Sequence, residues 1–129
     1  MPLLRAATLL VAIAILSGCA VLTADGERLT LTSPEFRAYV ERVFREQNRV
    51  ADQFAFALEG VRDAPANVTA AEQSLQEACA ALNELATARR DELPLSVSQR
   101  STSARSVPTC ERTLRASVAT LDAWRPPLR

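Results

Sequence analysis

The amino-terminal segment determines which residues of this chain remain in the mature, folded protein. A single arginine precedes an almost wholly apolar run from Ala6 to Leu16, and two small residues, Ser17 and Gly18, follow that run. A positively charged end, a short apolar segment and small residues at the exit are typical of a secretory signal peptide. We therefore predict that residues 1–18 are removed and that the rest of the chain folds outside the cytoplasm.

The residues around this exit resemble the lipobox of bacterial lipoproteins. Leu16-Ser17-Gly18-Cys19 matches that family's pattern of Leu, Ser or Ala, Gly or Ala, and Cys at every position. The resemblance implies cleavage between Gly18 and Cys19, a diacylglycerol on the Cys19 thiol, and an acylated new amino terminus, commonly carrying palmitate. The next residue is Ala20 where a retention signal has Asp, which implies the periplasmic face of the outer membrane. Anchoring in the inner membrane stays open.

An uncleaved membrane anchor is the alternative interpretation of the same segment. Residues 6–24 carry no charge, and their length falls just within the roughly 17–25 residues that can cross a bilayer. Thr8, Ser17, Gly18 and Thr23 dilute this run, and its apolar part has the length of a signal peptide. Both interpretations place everything after residue 24 outside the cytoplasm.

The amino-acid composition excludes several kinds of chemistry. The chain has no histidine, and all 15 of its basic residues are arginine, balanced by 15 acidic residues. The commonest general base, the commonest zinc ligand and the lysines of phosphate loops and Schiff bases are therefore missing. Zero net charge argues against a nucleic-acid partner. We predict a non-enzyme without catalytic residues, metal ligands or any cofactor besides the covalent lipid.

After the lipidated cysteine we predict a short tether and an all-α domain. Residues 19–32 are expected to be the lipidated amino terminus and an extended tether. Residues 33–125 show apolar side chains at helical spacing, which indicates a small three-helix bundle. Residues 126–129 are expected to be a flexible tail. The predicted helices cover about 34–60, 70–90 and 108–123.

Local signals set these helix boundaries. Ser33 is a suitable cap for the first helix, and Pro34 suits its first position, where no backbone donor is needed. Residues 69–72 (Thr-Ala-Ala-Glu) have the form of a capping box for the second helix. Asp91–Ser106 contains a proline and five serines with little periodicity, which predicts a flexible connection.

The two remaining cysteines face a common core in this bundle. Cys79 lies on the apolar face of the second predicted helix, and Cys110 lies on that of the third. Outside the cytoplasm such a pair is expected to be oxidised, so we predict a disulfide that fixes the third helix. The alternative is two buried free thiols acting as small apolar side chains. No histidine is present to activate either as a nucleophile.

Three aromatic residues are candidates for contact with a partner. Trp124, next to the arginine- and proline-containing end of the chain, belongs either to a docking tail or to a cap over the end of the bundle. Tyr39 and Phe44 widen the apolar face of the first helix, as core residues or as a strip for a partner helix. The acidic residues Glu41 and Glu46 have arginine neighbours and indicate solvated helix surface.

Together these observations favour a lipid-anchored cell-envelope protein with a structural or protein-interaction role. The expected partners are the membrane, through the lipid, and another envelope protein; the oligomeric state is open. One alternative is a periplasmic ligand-binding or inhibitor module with Asp91–Ser106 as a lid. The other is a carboxylate-dependent hydrolase, for which the sequence contains no motif.

Overall fold

The computed structural model describes residues 20–124 and contains three helices and one small sheet, a three-helix bundle as predicted. The lipobox cysteine Cys19, the cleavage site beside Gly18 and residues 125–129 lie outside the described residues. The elements are β1 (Ala20–Leu22), β2 (Arg28–Thr30), α1 (Pro34–Leu58), α2 (Ala66–Arg90) and α3 (Val97–Ala123).

Helix α1 begins where the sequence predicts. The Ser33 hydroxyl accepts a hydrogen bond from the Phe36 amide at 3.0 Å, and Pro34 occupies the first turn. The helix ends at Leu58, just before Gly60, which adopts a φ of +69° that favours glycine. Its inner face is a stripe with intervals of three and four residues. That stripe consists of Phe36, Tyr39, Val43, Gln47, Val50 and Phe54.

Helices α2 and α3 form the most closely packed pair. The Cα atoms of Cys79 and Cys110 are 4.7 Å apart and their sulfur atoms are 2.08 Å apart, joined as a disulfide. Apolar side chains surround this bond on both helices, and the Ser117 hydroxyl donates to the Ala71 carbonyl at 3.1 Å. The buried apolar side chains of the pair are Val68, Leu75, Leu82, Ala88, Val107 and Leu114.

The segment predicted to be an extended tether (19–32) is instead a folded hairpin from Ala20 onward. Strands β1 and β2 are antiparallel, and Val21 pairs with Leu29. Both side chains are buried in the bundle core, at 7% and 8% exposure. Residues 23–27 join the strands, and the Thr23 amide donates to the Glu27 carbonyl at 2.8 Å across this loop. Gly26 allows this loop because its φ is +83°.

The flexible connection predicted for Asp91–Ser106 is also wrong for most of its length. Helix α3 begins at Val97 rather than near Pro108, because Ser96 and Gln99 form a reciprocal capping box. The Ser96 hydroxyl accepts from the Gln99 amide at 3.1 Å, and the Gln99 side chain accepts from the Ser96 amide at 2.8 Å. Pro108 is a buried residue inside the helix. Most of Asp91–Ser106, the segment of the alternative lid, is therefore helix and not loop.

The beginning of α2 differs from its predicted position near residue 70. The helix starts at Ala66 after Pro65, and no side chain caps it. The proposed capping box is absent, since the Thr69 hydroxyl donates to the Ala66 carbonyl at 3.0 Å instead. The earlier start places Val68 in the core, where it is fully buried, and this burial offsets the missing cap.

Candidate functional site

A buried carboxylate, Glu111 on α3, is the polar centre of the described structure. Only 1% of the residue is exposed. Its Oε2 atom accepts a hydrogen bond from the Tyr39 hydroxyl at 2.7 Å and a longer one from the Ala24 amide at 3.4 Å. Its Oε1 atom accepts from Arg42 at 3.0 Å and from Arg115 at 2.8 Å. The carboxylate therefore bonds to the hairpin, to α1 and to its own helix.

Helical spacing brings the donors to this point. Arg115 lies four residues after Glu111, one turn along the same face of α3. Tyr39 and Arg42 lie three residues apart on α1, so their side chains share one face of that helix and both reach the Glu111 carboxylate. The guanidinium carbon of Arg42 lies 5.3 Å from the centre of the Tyr39 ring, a distance that adds a cation–π attraction. The two donors from α1 therefore support each other.

The hairpin is attached to the same cluster by its tip. Arg115 donates two parallel hydrogen bonds to Asp25, at 2.7 and 2.9 Å, while it also contacts Glu111. Such a fork-shaped pair fixes orientation as well as distance. The five residues whose side chains take part are called the Glu111 network below. They are Asp25, Tyr39, Arg42, Glu111 and Arg115.

The charges of the network are mutually stabilising. Burial alone would raise the pKa of Glu111, but hydrogen bonds from Tyr39, Arg42 and Arg115 outweigh it and hold that pKa below its ordinary value. Burial, and then the hydrogen bond to Glu111, raises the pKa of the Tyr39 hydroxyl. The hydrogen bond from Arg115 lowers the pKa of Asp25. At neutral pH both carboxylates of the network are therefore ionised, and Tyr39 is neutral.

The hydrogen-bonding capacity of Glu111 is fully used. An ionised carboxylate has about four acceptor positions, and Tyr39, Ala24, Arg42 and Arg115 supply four donors. Within residues 20–124, every buried side-chain nitrogen or oxygen has a hydrogen-bond partner. The arrangement joins the hairpin, α1 and α3 through one carboxylate.

The structure places the three aromatic candidates differently. Tyr39 is a core residue, 5% exposed, and its hydroxyl belongs to the Glu111 network. Phe44 and Trp124 are partly buried and pack against the core cluster. The Cys79–Cys110 pair is fully buried, and Cys110 directly precedes Glu111 on α3. The structure thus places Tyr39 in the Glu111 network and leaves Phe44 and Trp124 outside it.

Sequence reasoning missed Glu111, although the chain contains a signal for it. Val107, Glu111, Leu114 and Val118 follow one another at intervals of four, three and four residues. A glutamate at a position of the buried helical stripe requires partners, and Arg115 stands at the favourable spacing of four. The same criterion finds Gln47, which is buried in the α1 stripe; its amide donates to Asn83 at 2.7 Å.

Two open grooves border the network. One, of about 260 Å³, lies between the hairpin and α1 and has Asp25, Tyr39 and Arg42 among its lining residues. The other, of about 390 Å³, lies between α1 and α3 and includes Glu46 and Glu111. In the part of the chain that the structure describes, no group of three or more residues is arranged to hold a metal ion.

No helix between residues 20 and 124 has the length and apolar character needed to cross a membrane. Comparison of the chain with protein-family models, with curated proteins and with solved structures finds no match.

Proposed function

We propose that this chain is a lipid-anchored protein of the bacterial cell envelope with a structural or protein-interaction role. In this proposal Cys19 carries the lipid, and the bundle lies at the periplasmic face of the outer membrane. The observation that carries the proposal is the attachment of the segment directly after Cys19 to the bundle. That attachment consists of the buried residues Val21 and Leu29 and the contacts of Ala24 and Asp25 with the Glu111 network.

This attachment has a mechanical consequence for an anchored protein. Residues 20–32, if extended, would reach roughly 40 Å from the membrane, so the bundle would turn freely. Because residues 20–30 are folded into the hairpin, the anchor connects almost directly to a rigid body. A protein held in this way presents the same surfaces to the membrane and to neighbouring proteins, which suits a structural or adaptor role.

The state of Glu111 favours this role over the hydrolase alternative. A general acid works best when its pKa lies near the working pH, so a catalytic glutamate needs a raised pKa. The hydrogen bonds from Tyr39, Arg42 and Arg115 instead hold the pKa of Glu111 below its ordinary value. All its acceptor positions are also taken by groups of the protein itself. These properties suit a structural carboxylate.

The anchor is tested by Cys19→Ala, with Ala20→Ser as a matched control that keeps the cysteine. Mass spectrometry of the mature amino-terminal peptide should find acylated Cys19 in the wild type and in the control. The Cys19→Ala variant should lack the acyl groups and leave the outer-membrane fraction. If that variant stays in the outer membrane at the normal processed size, the lipoprotein proposal is wrong.

The interaction role is tested with the most exposed apolar side chains of the described residues. Phe56 is 81% exposed and Val97 is 83% exposed, so a photo-crosslinking residue at either position should capture an envelope protein in intact cells. Arg62, also exposed, serves as the polar control position. Capture of one protein at Phe56 or Val97 but not at Arg62 supports the role. Equal yields at all three positions, or no capture, would count against it.

A further inference from the structure

An arginine-rich groove lies where the chain emerges from its anchor. It has a volume of about 420 Å³ and runs between strand β1 and the middle of α3. We call it the anchor-side groove. The described residues that line it are Ala20, Val21, Leu22, Arg28, Arg105, Pro108, Thr109 and Arg112.

Three arginines and no carboxylate stand among these lining residues. Arg105 and Arg112 are seven residues apart, two turns along one face of α3, with Thr109 between them. Arg28 lies on β2, where it pairs with Leu22 of β1. All three arginines are exposed. The described lining of the groove is therefore positively charged.

Polar contacts within α3 help to set the direction of two of these side chains. Arg112 donates to the Thr109 hydroxyl at 3.0 Å, and Arg105 contacts the Ser101 hydroxyl at 3.4 Å. Such contacts reduce the conformational entropy that the side chains lose when they bind an anion. A guanidinium group can donate two parallel hydrogen bonds to a phosphate or to a carboxylate. Phosphate is the anion that a groove beside a lipid anchor meets in the membrane.

Ala20 connects this groove to the anchor, because it lines the groove and directly follows Cys19. Consecutive Cα atoms are about 3.8 Å apart, so a lipid on Cys19 leaves the domain at the edge of the groove. The hairpin is held on the bundle by the buried side chains of Val21 and Leu29, and at its tip by the ion pair of Asp25 with Arg115. Leu22, 56% exposed, adds an apolar side chain at the same edge.

We propose that the anchor-side groove binds the phosphate groups of anionic phospholipids in the leaflet that holds the anchor. The proposal rests on the proposed lipidation of Cys19, which places Ala20 at the edge of the groove one residue from the anchor. Surface charge acts over a short range of about 8 Å at physiological salt, so this closeness matters. Each arginine near an anionic surface strengthens attachment by about five-fold. Together the three arginines of the groove therefore strengthen attachment to an anionic membrane on the order of a hundred-fold. With two points of attachment, the lipid anchor and the groove, the orientation of the bundle at the membrane is fixed.

The native, processed lipoprotein tests this proposal without any variant. It is added to preformed vesicles of phosphatidylcholine alone or with about a third phosphatidylglycerol, and its arginines are modified with phenylglyoxal. Mass spectrometry then gives the modification rate of each arginine. We expect the rates at Arg28, Arg105 and Arg112 to fall about five-fold or more in the anionic vesicles. Arg45 and Arg49, outside the groove, should react equally in both.

Three results would overturn the groove proposal. The first is equal rates at Arg28, Arg105 and Arg112 in both kinds of vesicle, and the second is equal slowing at Arg45 and Arg49. The third comes from a further sample, neutral vesicles with added inorganic phosphate, if it protects the groove arginines as well as the anionic vesicles do. Mass spectra of the same sample report on the anchor separately. An unmodified Cys19 would contradict the proposed function itself, whereas acylated Cys19 with unprotected groove arginines would contradict the groove alone.

Discussion

Two neighbouring residues of α3 belong to two different kinds of junction. Cys110 joins α3 to α2 through a covalent bond among apolar side chains. Glu111, the next residue, joins α3 to α1 and to the hairpin through hydrogen bonds and charge. The first junction depends on the redox state of its thiols and the second on pH. Helix α3 is therefore shared by two junctions of different chemistry, and we predict that each can be broken without the other.

The first prediction breaks the covalent junction and has the largest effect. Cys79 and Cys110 close a loop with a sequence separation of 31, and the loss of such a crosslink costs about 3–4 kcal/mol of unfolding free energy. We expect the double variant Cys79→Ala/Cys110→Ala to lose this amount in urea unfolding at pH 7. The control Ser117→Ala removes one buried hydrogen bond and should cost only about 1 kcal/mol. An unchanged urea midpoint in the double variant would contradict this assignment.

The second prediction breaks the charged junction. Removing one partner of a buried ion pair costs about 3–5 kcal/mol, but the side chains of Arg42 and Arg115 are 54% and 50% exposed, so water compensates part of the loss. We expect Glu111→Ala to cost about 2–3 kcal/mol. Trypsin should cut this variant faster at Arg28 than it cuts wild type. Glu46→Ala, on the surface of α1, serves as the control and should leave cleavage at Arg28 unchanged.

The third prediction separates the junctions by pH. The folded state lowers the pKa of Glu111 below its ordinary 4.5, so the unfolded chain binds more protons in acid and the stabilisation is lost as the pH falls below that value. We expect the unfolding free energy of wild type to decrease from pH 7 to about pH 3. Glu111→Gln should show a smaller decrease, whereas the cysteine double variant should keep the full decrease. Equal acid sensitivity of wild type and Glu111→Gln would contradict the role of the carboxylate.

The smallest expected effect concerns the tip of the hairpin. Asp25 is exposed and its pKa is lowered by Arg115, and exposed ion pairs contribute little to global stability. Asp25→Asn should therefore leave the urea midpoint nearly unchanged while it speeds amide exchange at Gly26. Adding salt to wild type should have the same local effect. A large drop in the urea midpoint would contradict this prediction, because it would show that the ion pair of Asp25 with Arg115 stabilises more of the fold than the hairpin tip.

The two junctions also differ in how far the sequence predicts them. The stripes that contain Val43, Cys79 and Cys110 repeat at helical spacing, and such periodicity identifies a buried face without knowledge of its partner. The α2–α3 junction follows from these faces and from the expected oxidising compartment. The charged junction does not, because Asp25 and Arg115 are 90 residues apart in the chain, and no local pattern relates them.

Two errors in the predicted boundaries have local physical causes. The serine-rich sequence before Pro108 is typical of a loop, but the capping box between Ser96 and Gln99 starts helix α3 earlier. The tether predicted for residues 19–32 treats Arg28–Thr30 as a segment without a strand partner. That partner is Ala20–Leu22, which begins at the second residue after the predicted cleavage site.

Amide hydrogen exchange of the Glu111→Gln variant tests the central claim of two separate junctions most directly. The Thr23 amide, bonded to Glu27 across the hairpin, reports on the charged junction, and the amides of Leu82 and Leu114 report on the α2–α3 pair. We predict that the substitution speeds exchange at Thr23 more than at Leu82 and Leu114, whereas loss of the disulfide speeds exchange mainly at the helical amides. An equal acceleration at all three positions, or none at Thr23, would contradict the existence of two independent junctions.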